Sequence, residues 1–183
     1  MKLPKPRIHP VQENEWTAEQ RKLLESLGQI GQMNVFKTFA RHPKLLEKFL
    51  VFLLYILRES TLPPRDRELA ILRIGWLCQA EYEWSQHAVI GKLAGLTDQE
   101  ILRITKGPKA EGWSSFDATL LRAVDELHKN AFISNSTWVA LAEHYTEQQI
   151  MDLIFTVGEY ALVSMALSSF GVQLEKDVTG FPK

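Results

Sequence analysis

The chain has 183 residues, of which 45% are hydrophobic and 23% charged, and its formal net charge is −1. This length is enough for one domain with a sizeable core. A balanced charge argues against a nucleic-acid partner, which requires a basic face, and against a polybasic membrane anchor. The lone cysteine, Cys78, cannot form an internal disulfide, which predicts a cytoplasmic protein.

Apolar residues recur at helical spacing through most of the chain, and no segment shows the alternation typical of strands. Residues 1–16 predict an irregular arm that lacks the apolar core of a secretory signal. Residues 17–183 predict a single helical domain. Thr17 and Gln20 form a capping box, which predicts a first helix that ends before Gly28.

A loop around Gly31 and Asn34 is predicted to separate this helix from a second one that begins at Pro43, because proline is favoured in the first helical turn. The second helix contains the apolar stretch FLVFLLYIL, residues 49–57. Nine apolar residues are too few to span a bilayer. The stretch therefore predicts a buried helix.

Pro64 predicts the start of a third helix, and Gly95 the end of a fourth. Thr97 and Glu100 form a capping box for the next helix, and Ser114 precedes another long one. A short helix is predicted to follow the polar turn SNST, residues 134–137.

Thr146 and Gln149 form a third capping box, which predicts a final helix that continues to about Phe170. This helix is almost continuously apolar and must be buried on most faces, within this subunit or against another. Residues 65–77 can be overlaid on residues 148–160, which predicts a weak internal repeat.

The overlay matches Gly75 with Gly158, Glu68 with Met151 and His87 with Phe170. Polar side chains therefore occur in the first copy where the second is apolar. This difference predicts that only the first copy was retained for chemistry.

The most informative segment lies between residues 65 and 91. Glu83 and His87 are four residues apart and share one face of a helix. A carboxylate beside an imidazole favours the charged ring and raises its pKa, which suits a general acid or base. Glu68 lies at the edge of an apolar stripe, where burial is possible. The alternative is a solvated surface pair that contributes about 0.2–0.5 kcal/mol.

Three aromatic residues of this segment, Trp76, Tyr82 and Trp84, are predicted to form a dry wall beside the pair, as a small organic substrate requires. A metal site is disfavoured, because the spacing of Glu83 and His87 differs from the Glu-x-x-His of di-iron proteins and occurs once. We therefore expect neither a metal nor a cofactor.

The segment RELAILRIGWLCQAEYEWSQH, residues 67–87, resembles the carboxymuconolactone decarboxylase family within the AhpD-like superfamily. Further stretches carry the same resemblance: AGLTDQEI (94–101), AVDELH (123–128), ISNSTW (133–138) and LIFTVGEYALVSMALSSFGVQLE (153–175). The resemblance implies an all-α AhpD-like bundle and a homo-oligomer, either a trimer or a hexamer.

The peroxidase branch of that superfamily uses a Glu, a C-x-x-C pair and a His four residues after the second cysteine. In this sequence the Glu corresponds to Glu68, the His to His87, and the two cysteine positions to Ala80 and Glu83. Thiol peroxidation requires a thiolate and a resolving thiol. The resemblance therefore disfavours alkylhydroperoxidase activity, which would have to use Cys78 in another arrangement.

The decarboxylase branch implies a cofactor-independent lyase that acts on a small carboxylated lactone, or on a related product of aromatic-compound catabolism. His87 would transfer a proton, and Glu68 and Glu83 would support it. An arginine would hold a substrate carboxylate, with Arg65, Arg67 and Arg73 as candidates. The main alternative is an oligomeric protein that binds a small ligand without converting it.

Overall fold

A computed structural model describes residues 3–176 and 178–182. Within these residues the chain forms nine α-helices and no strand, which confirms the predicted all-α class. The helices are α1 Ala18–Ser26, α2 Asn34–Phe39, α3 Pro43–Arg58, α4 Pro64–Leu77, α5 Glu81–Leu93, α6 Asp98–Ile104, α7 Ser115–Asn130, α8 Asn135–Ala142 and α9 Glu147–Phe170. Two short 3-10 helices cover Glu13–Glu15 and Gly28–Gln32.

The predicted helix starts are confirmed where a local signal defines them. Thr17, Thr97 and Thr146 each accept the backbone N–H of the residue three positions later, and that residue's side chain bonds back to the cap. Each reciprocal pair satisfies two N–H groups that the first helical turn leaves without partners. Pro43 and Pro64 open α3 and α4 as predicted.

The predicted loop around Gly31 and Asn34 is wrong in part, because α2 occupies its second half. This helix has six residues and carries no capping side chain. Val35, Phe36 and Phe39 are buried in the core. Tertiary burial therefore stabilises a helix that is too short for a clear local signal.

The central helix is α4, which packs against α5, α7 and α9. All its residues from 68 to 75 are buried. The α4–α5 contact is close at Gly91, where a Cβ would lie 3.2 Å from the Leu72 side chain and 3.8 Å from the Glu68 Cβ. The absence of a side chain at Gly91 thus brings the α5 backbone next to Glu68, one turn after His87.

The N-terminal arm is predicted to be irregular, and in the structure it packs along the domain. The backbone N–H of Arg7 donates to the Phe170 carbonyl at 2.8 Å, and that of Val11 donates to the Lys37 carbonyl at 3.1 Å. Val11 is buried in the core. The arm therefore covers the end of α9.

The last helix, α9, is long and apolar enough to cross a membrane by length and composition, but 56% of its most apolar window is buried inside the fold. It is a core helix. The two segments overlaid in the predicted internal repeat differ in structure. Residues 65–87 form two helices, α4 and α5, whereas the residues overlaid on them lie in the single continuous helix α9. Gly75 is buried at the α4–α5 contact, whereas Gly158 is exposed.

Candidate active site

Three ionisable side chains meet between α4 and α5. His87 Nδ1 lies 2.6 Å from Glu68 Oε2, and His87 Nε2 lies 3.0 Å from Glu83 Oε1. Glu68 is 0%, His87 5% and Glu83 6% exposed. The sequence segment predicted to carry the chemistry thus forms a buried carboxylate–imidazole–carboxylate group, and the surface-pair alternative is wrong.

Two levels of structure position this group. Glu83 and His87 lie one turn apart on α5, as their spacing requires. Glu68 comes from α4 and reaches His87 only because the two helices pack closely at Gly91. Arg67 then neutralises part of the charge, with its Nε donating to Glu68 Oε1 at 3.3 Å.

The environment favours the charged form of the histidine. Burial alone lowers the pKa of His87, but the charge and hydrogen bond of Glu68, followed by those of Glu83, outweigh burial and raise this pKa to about 10. His87 is therefore an imidazolium at neutral pH. Both ring N–H groups donate, one to each carboxylate.

Tyr160 of α9 contacts the His87 ring of this group. Its ring meets the His87 imidazole edge to face, with ring centroids 4.9 Å apart and an interplanar angle of 85°. Burial and the charges of Glu83 and Glu68 raise the pKa of Tyr160 well above its ordinary value. The residue is a neutral phenol, and its hydroxyl has no hydrogen-bond partner among the residues that the structure describes.

Glu83, His87 and Tyr160 line a cavity of about 160 Å³ between α2, α3, α5 and α9. A cavity of about 150 Å³ accommodates benzene, so this one holds a molecule the size of one six-membered ring. Its wall is mostly aliphatic and aromatic. The other lining residues are Ile30, Met33, Val35, Phe36, Phe49, Leu53, Leu57, Tyr82, Gln86, Ile90 and Val163.

The C-terminal segment fixes one side of this cavity through Glu175. Its Oε1 accepts hydrogen bonds from the Tyr82 hydroxyl at 2.7 Å and from the Asn34 backbone N–H at 2.9 Å. Its Oε2 accepts from Gln86 Nε2 at 2.7 Å. One carboxylate thereby joins α2 and α5 where both contribute to the wall.

The three arginines predicted as carboxylate-binding candidates are engaged elsewhere. Arg65 forms a two-point ion pair with Asp117 at 2.8 and 3.1 Å. Arg73 pairs with Asp125 at 2.6 and 2.9 Å. Arg67 binds Glu68, and none of the three lines the cavity.

The predicted aromatic wall needs a correction. Tyr82 lines the cavity, but Trp76 and Trp84 do not. Their rings lie 5.4 Å apart and both contact Phe181. The Trp84 ring therefore packs with Trp76 and Phe181 rather than against the cavity.

The thiol lies outside the cavity. Cys78 Sγ is 3.8 Å from His128 Nδ1, and burial raises the pKa of this thiol, which disfavours the nucleophilic thiolate. Ala80 is buried.

Tyr160 was not among the residues predicted for the site. Gln86 and Glu175 were missed. Gln86 had a usable signal, because it is adjacent to His87 and follows Tyr82 by four residues on one helix face. Glu175 offered none, since only the tertiary fold brings it to α5.

Known structures show that the chain has the fold of AhpD-like all-α proteins. An uncharacterised peroxidase-related protein from Ralstonia eutropha, described as an alkylhydroperoxidase AhpD core, superposes with a TM-score of 0.81 at 18% identity, covering 96% of this chain and 95% of its own. The debrominase Bmp8, solved in complex with 2,3,4-tribromopyrrole, superposes with a TM-score of 0.78 at 13% identity, covering 94% of both chains.

A protein of unknown function from Agrobacterium tumefaciens has a TM-score of 0.71 at 18% identity and covers 76% of this chain and 96% of its own. Residues 43–108 match the model of the Carboxymuconolactone decarboxylase family. The resemblance predicted from the sequence is therefore confirmed, and the matched segment contains Glu68, Glu83 and His87. No curated protein sequence matches the chain.

Proposed function

We propose that the protein is a cytoplasmic, cofactor-independent enzyme that exchanges a proton between the Glu83–His87 pair and a small organic substrate in the adjoining cavity. The observation that supports this proposal is the buried Glu68–His87–Glu83 group, whose imidazole and one carboxylate line an apolar cavity. Proton transfer by positioned carboxyl and imidazole groups requires no other cofactor.

Both nitrogens of His87 already donate, so the substrate exchanges its proton with Glu83. In the family's decarboxylation, the bond to the carboxylate carbon breaks, carbon dioxide leaves, and the electron pair is delocalised as a dienolate. Glu83 takes a proton from His87 Nε2 and passes it to the resulting carbanionic carbon, which leaves Glu83 ionised and the imidazole neutral. Water then reprotonates the imidazole, and Glu68 holds the ring throughout.

The cavity favours a different substrate from the carboxylated lactone that the resemblance implies. An anionic substrate would gain no arginine contact, since Arg65, Arg67 and Arg73 are paired elsewhere. The debrominase of similar fold was solved with a small halogenated ring, 2,3,4-tribromopyrrole. A compact, weakly polar ring is the ligand we propose here.

Deuterium incorporation tests proton transfer to carbon whatever the natural reaction is. A panel of small unsaturated ketones and lactones, together with 4-carboxymuconolactone, is incubated with the protein in D2O and followed by proton NMR and carbon dioxide release. We expect incorporation or release with the wild-type protein and a fall of at least 100-fold in the Glu83→Gln and His87→Gln variants, in line with the contribution of a general acid or base. If no compound reacts, or if the variants react as fast as the wild-type protein, the proposed function is wrong.

A binding protein without catalysis is the second candidate. It is favoured by the complete pairing of the imidazolium, because a histidine with both N–H groups engaged has no free donor for a substrate. In that case the panel compounds would bind, as seen by changes in the protein NMR spectrum, but would incorporate no deuterium.

A further inference from the structure

One tyrosine of the cavity wall, Tyr160, has a hydroxyl without a partner among the described residues. The Tyr160 side chain is 1% exposed, and its oxygen is buried without a hydrogen bond among the described residues. Buried hydroxyls are generally paired, because burial without a partner removes the hydrogen bonds made to water. The other tyrosine in the wall, Tyr82, has this pairing with Glu175. Among the buried polar atoms of the described residues that have no partner, only the Tyr160 hydroxyl belongs to a residue of the cavity wall, so it points to an absent ligand.

The charges around the cavity define the ligand further. The imidazolium of His87 is balanced by Glu68 and Glu83, and Glu83 is itself a wall residue. A carboxylate-bearing ligand would be placed against a carboxylate and an otherwise apolar surface, without a cation to compensate. The wall therefore favours an uncharged molecule.

The same geometry brings together two groups with complementary tasks. Glu83 can accept a proton, whereas Tyr160 can donate a hydrogen bond, and both lie beside the same His87 ring. Removal of a proton next to a carbonyl group needs a base at carbon and a donor at oxygen, where negative charge develops.

We propose that Tyr160 is a catalytic residue that binds the carbonyl oxygen of an uncharged, ring-sized ketone or lactone. The proposal rests on the proton transfer proposed above for Glu83 and His87. Glu83 removes the proton from the carbon next to the carbonyl, the C–H electron pair forms a C=C bond, and the carbonyl π pair moves to oxygen. The Tyr160 hydroxyl donates to that oxygen. Glu83 returns the proton at another carbon, so the isomerisation consumes no co-reactant.

Ligand binding tests this assignment independently of turnover. Affinities are measured by NMR titration for cyclohex-2-enone, for cyclohexene, which lacks the oxygen, and for 4-oxocyclohex-2-ene-1-carboxylate, which adds a charge. The proteins compared are the wild type, Tyr160→Phe, and Tyr145→Phe as a matched control, whose hydroxyl is bonded to Asp66 and does not line the cavity. Circular dichroism establishes that each variant is folded.

We expect the wild-type protein to bind the ketone about three- to tenfold more tightly than cyclohexene, the effect of one neutral hydrogen bond. This preference should disappear in Tyr160→Phe and persist in Tyr145→Phe. The carboxylate should bind at least tenfold more weakly than the ketone. Equal or tighter binding of the carboxylate, an unchanged preference in Tyr160→Phe, or no binding of the ketone would overturn the assignment. The expected affinities without deuterium exchange would support the ligand class and remove only the proposed catalysis.

Discussion

Replacement of His87 by leucine should destabilise the protein far more than the loss of one side chain from a surface. The substitution removes the imidazolium between Glu68 and Glu83, whose oxygens lie 2.6 and 3.0 Å from its nitrogens. Glu68 keeps Arg67 as a partner, but Glu83 loses its only ion pair in the described part of the chain. Breaking a buried ion pair typically costs about 3–5 kcal/mol, and we expect the lower end because Glu83 borders a cavity that water can enter.

The double variant Glu83→Leu/His87→Leu is the matched comparison. It removes the stranded carboxylate with the imidazole and leaves Glu68 paired with Arg67, so its stability should return to within about 1 kcal/mol of the wild type. Urea unfolding at pH 7, followed by the fluorescence of the five tryptophans, measures both variants. If His87→Leu loses less than about 1 kcal/mol, or if the double variant is as unstable as the single one, the group is not the buried charge network inferred here.

Three further predictions concern pH, the C-terminal segment and assembly. Because the pKa of His87 is raised to about 10 in the folded protein, its stabilising effect is complete below about pH 6.5 and is lost as pH rises towards 10. The free energy of unfolding, measured at pH 6, 8 and 10, should therefore fall steadily in the wild type but not in His87→Leu. Glu175→Gln weakens the charge-assisted hydrogen bonds from Tyr82 and Gln86 and should lower stability by about 1–2 kcal/mol, and an unchanged melting temperature would contradict this effect. We also propose a trimer or hexamer in which a second copy covers the exposed apolar stripe of α9, formed by Met151, Phe155, Leu162 and Met165. Light scattering should give a mass that is a multiple of 21.0 kDa, and Phe155→Arg should reduce this mass. A wild-type monomer would refute the proposed assembly.

The fold could be predicted wherever the signals are local. Thr97 with Glu100, and Thr146 with Gln149, defined the starts of α6 and α9 because a capping box involves only residues within one turn. By contrast, α2 depends on the burial of Phe36 and Phe39 by distant parts of the chain. No periodic pattern of six residues could indicate it.

The site shows the same limit. The Glu83–His87 pair follows from helical spacing, but the contribution of Glu68 depends on the approach of two helices at Gly91. Tyr160 lies on the last helix and contacts His87 only in the folded protein. Trp84 is predicted in the cavity wall because it lies one turn from His87, but in the folded protein its ring packs with Trp76 and Phe181 instead.

Position 83 distinguishes the proton chemistry proposed here from the thiol chemistry of the peroxidase branch. By resemblance, this position holds the second cysteine of the peroxidase pattern, and Ala80 takes the place of the first. A thiol at position 83 could be oxidised and resolved by its partner, whereas a carboxylate exchanges protons only. Glu83 also raises the pKa of His87, which keeps the ring charged. In the proposed mechanism, the carboxylate at position 83, which cannot take part in thiol redox chemistry, serves as the base at the wall of a ring-sized cavity.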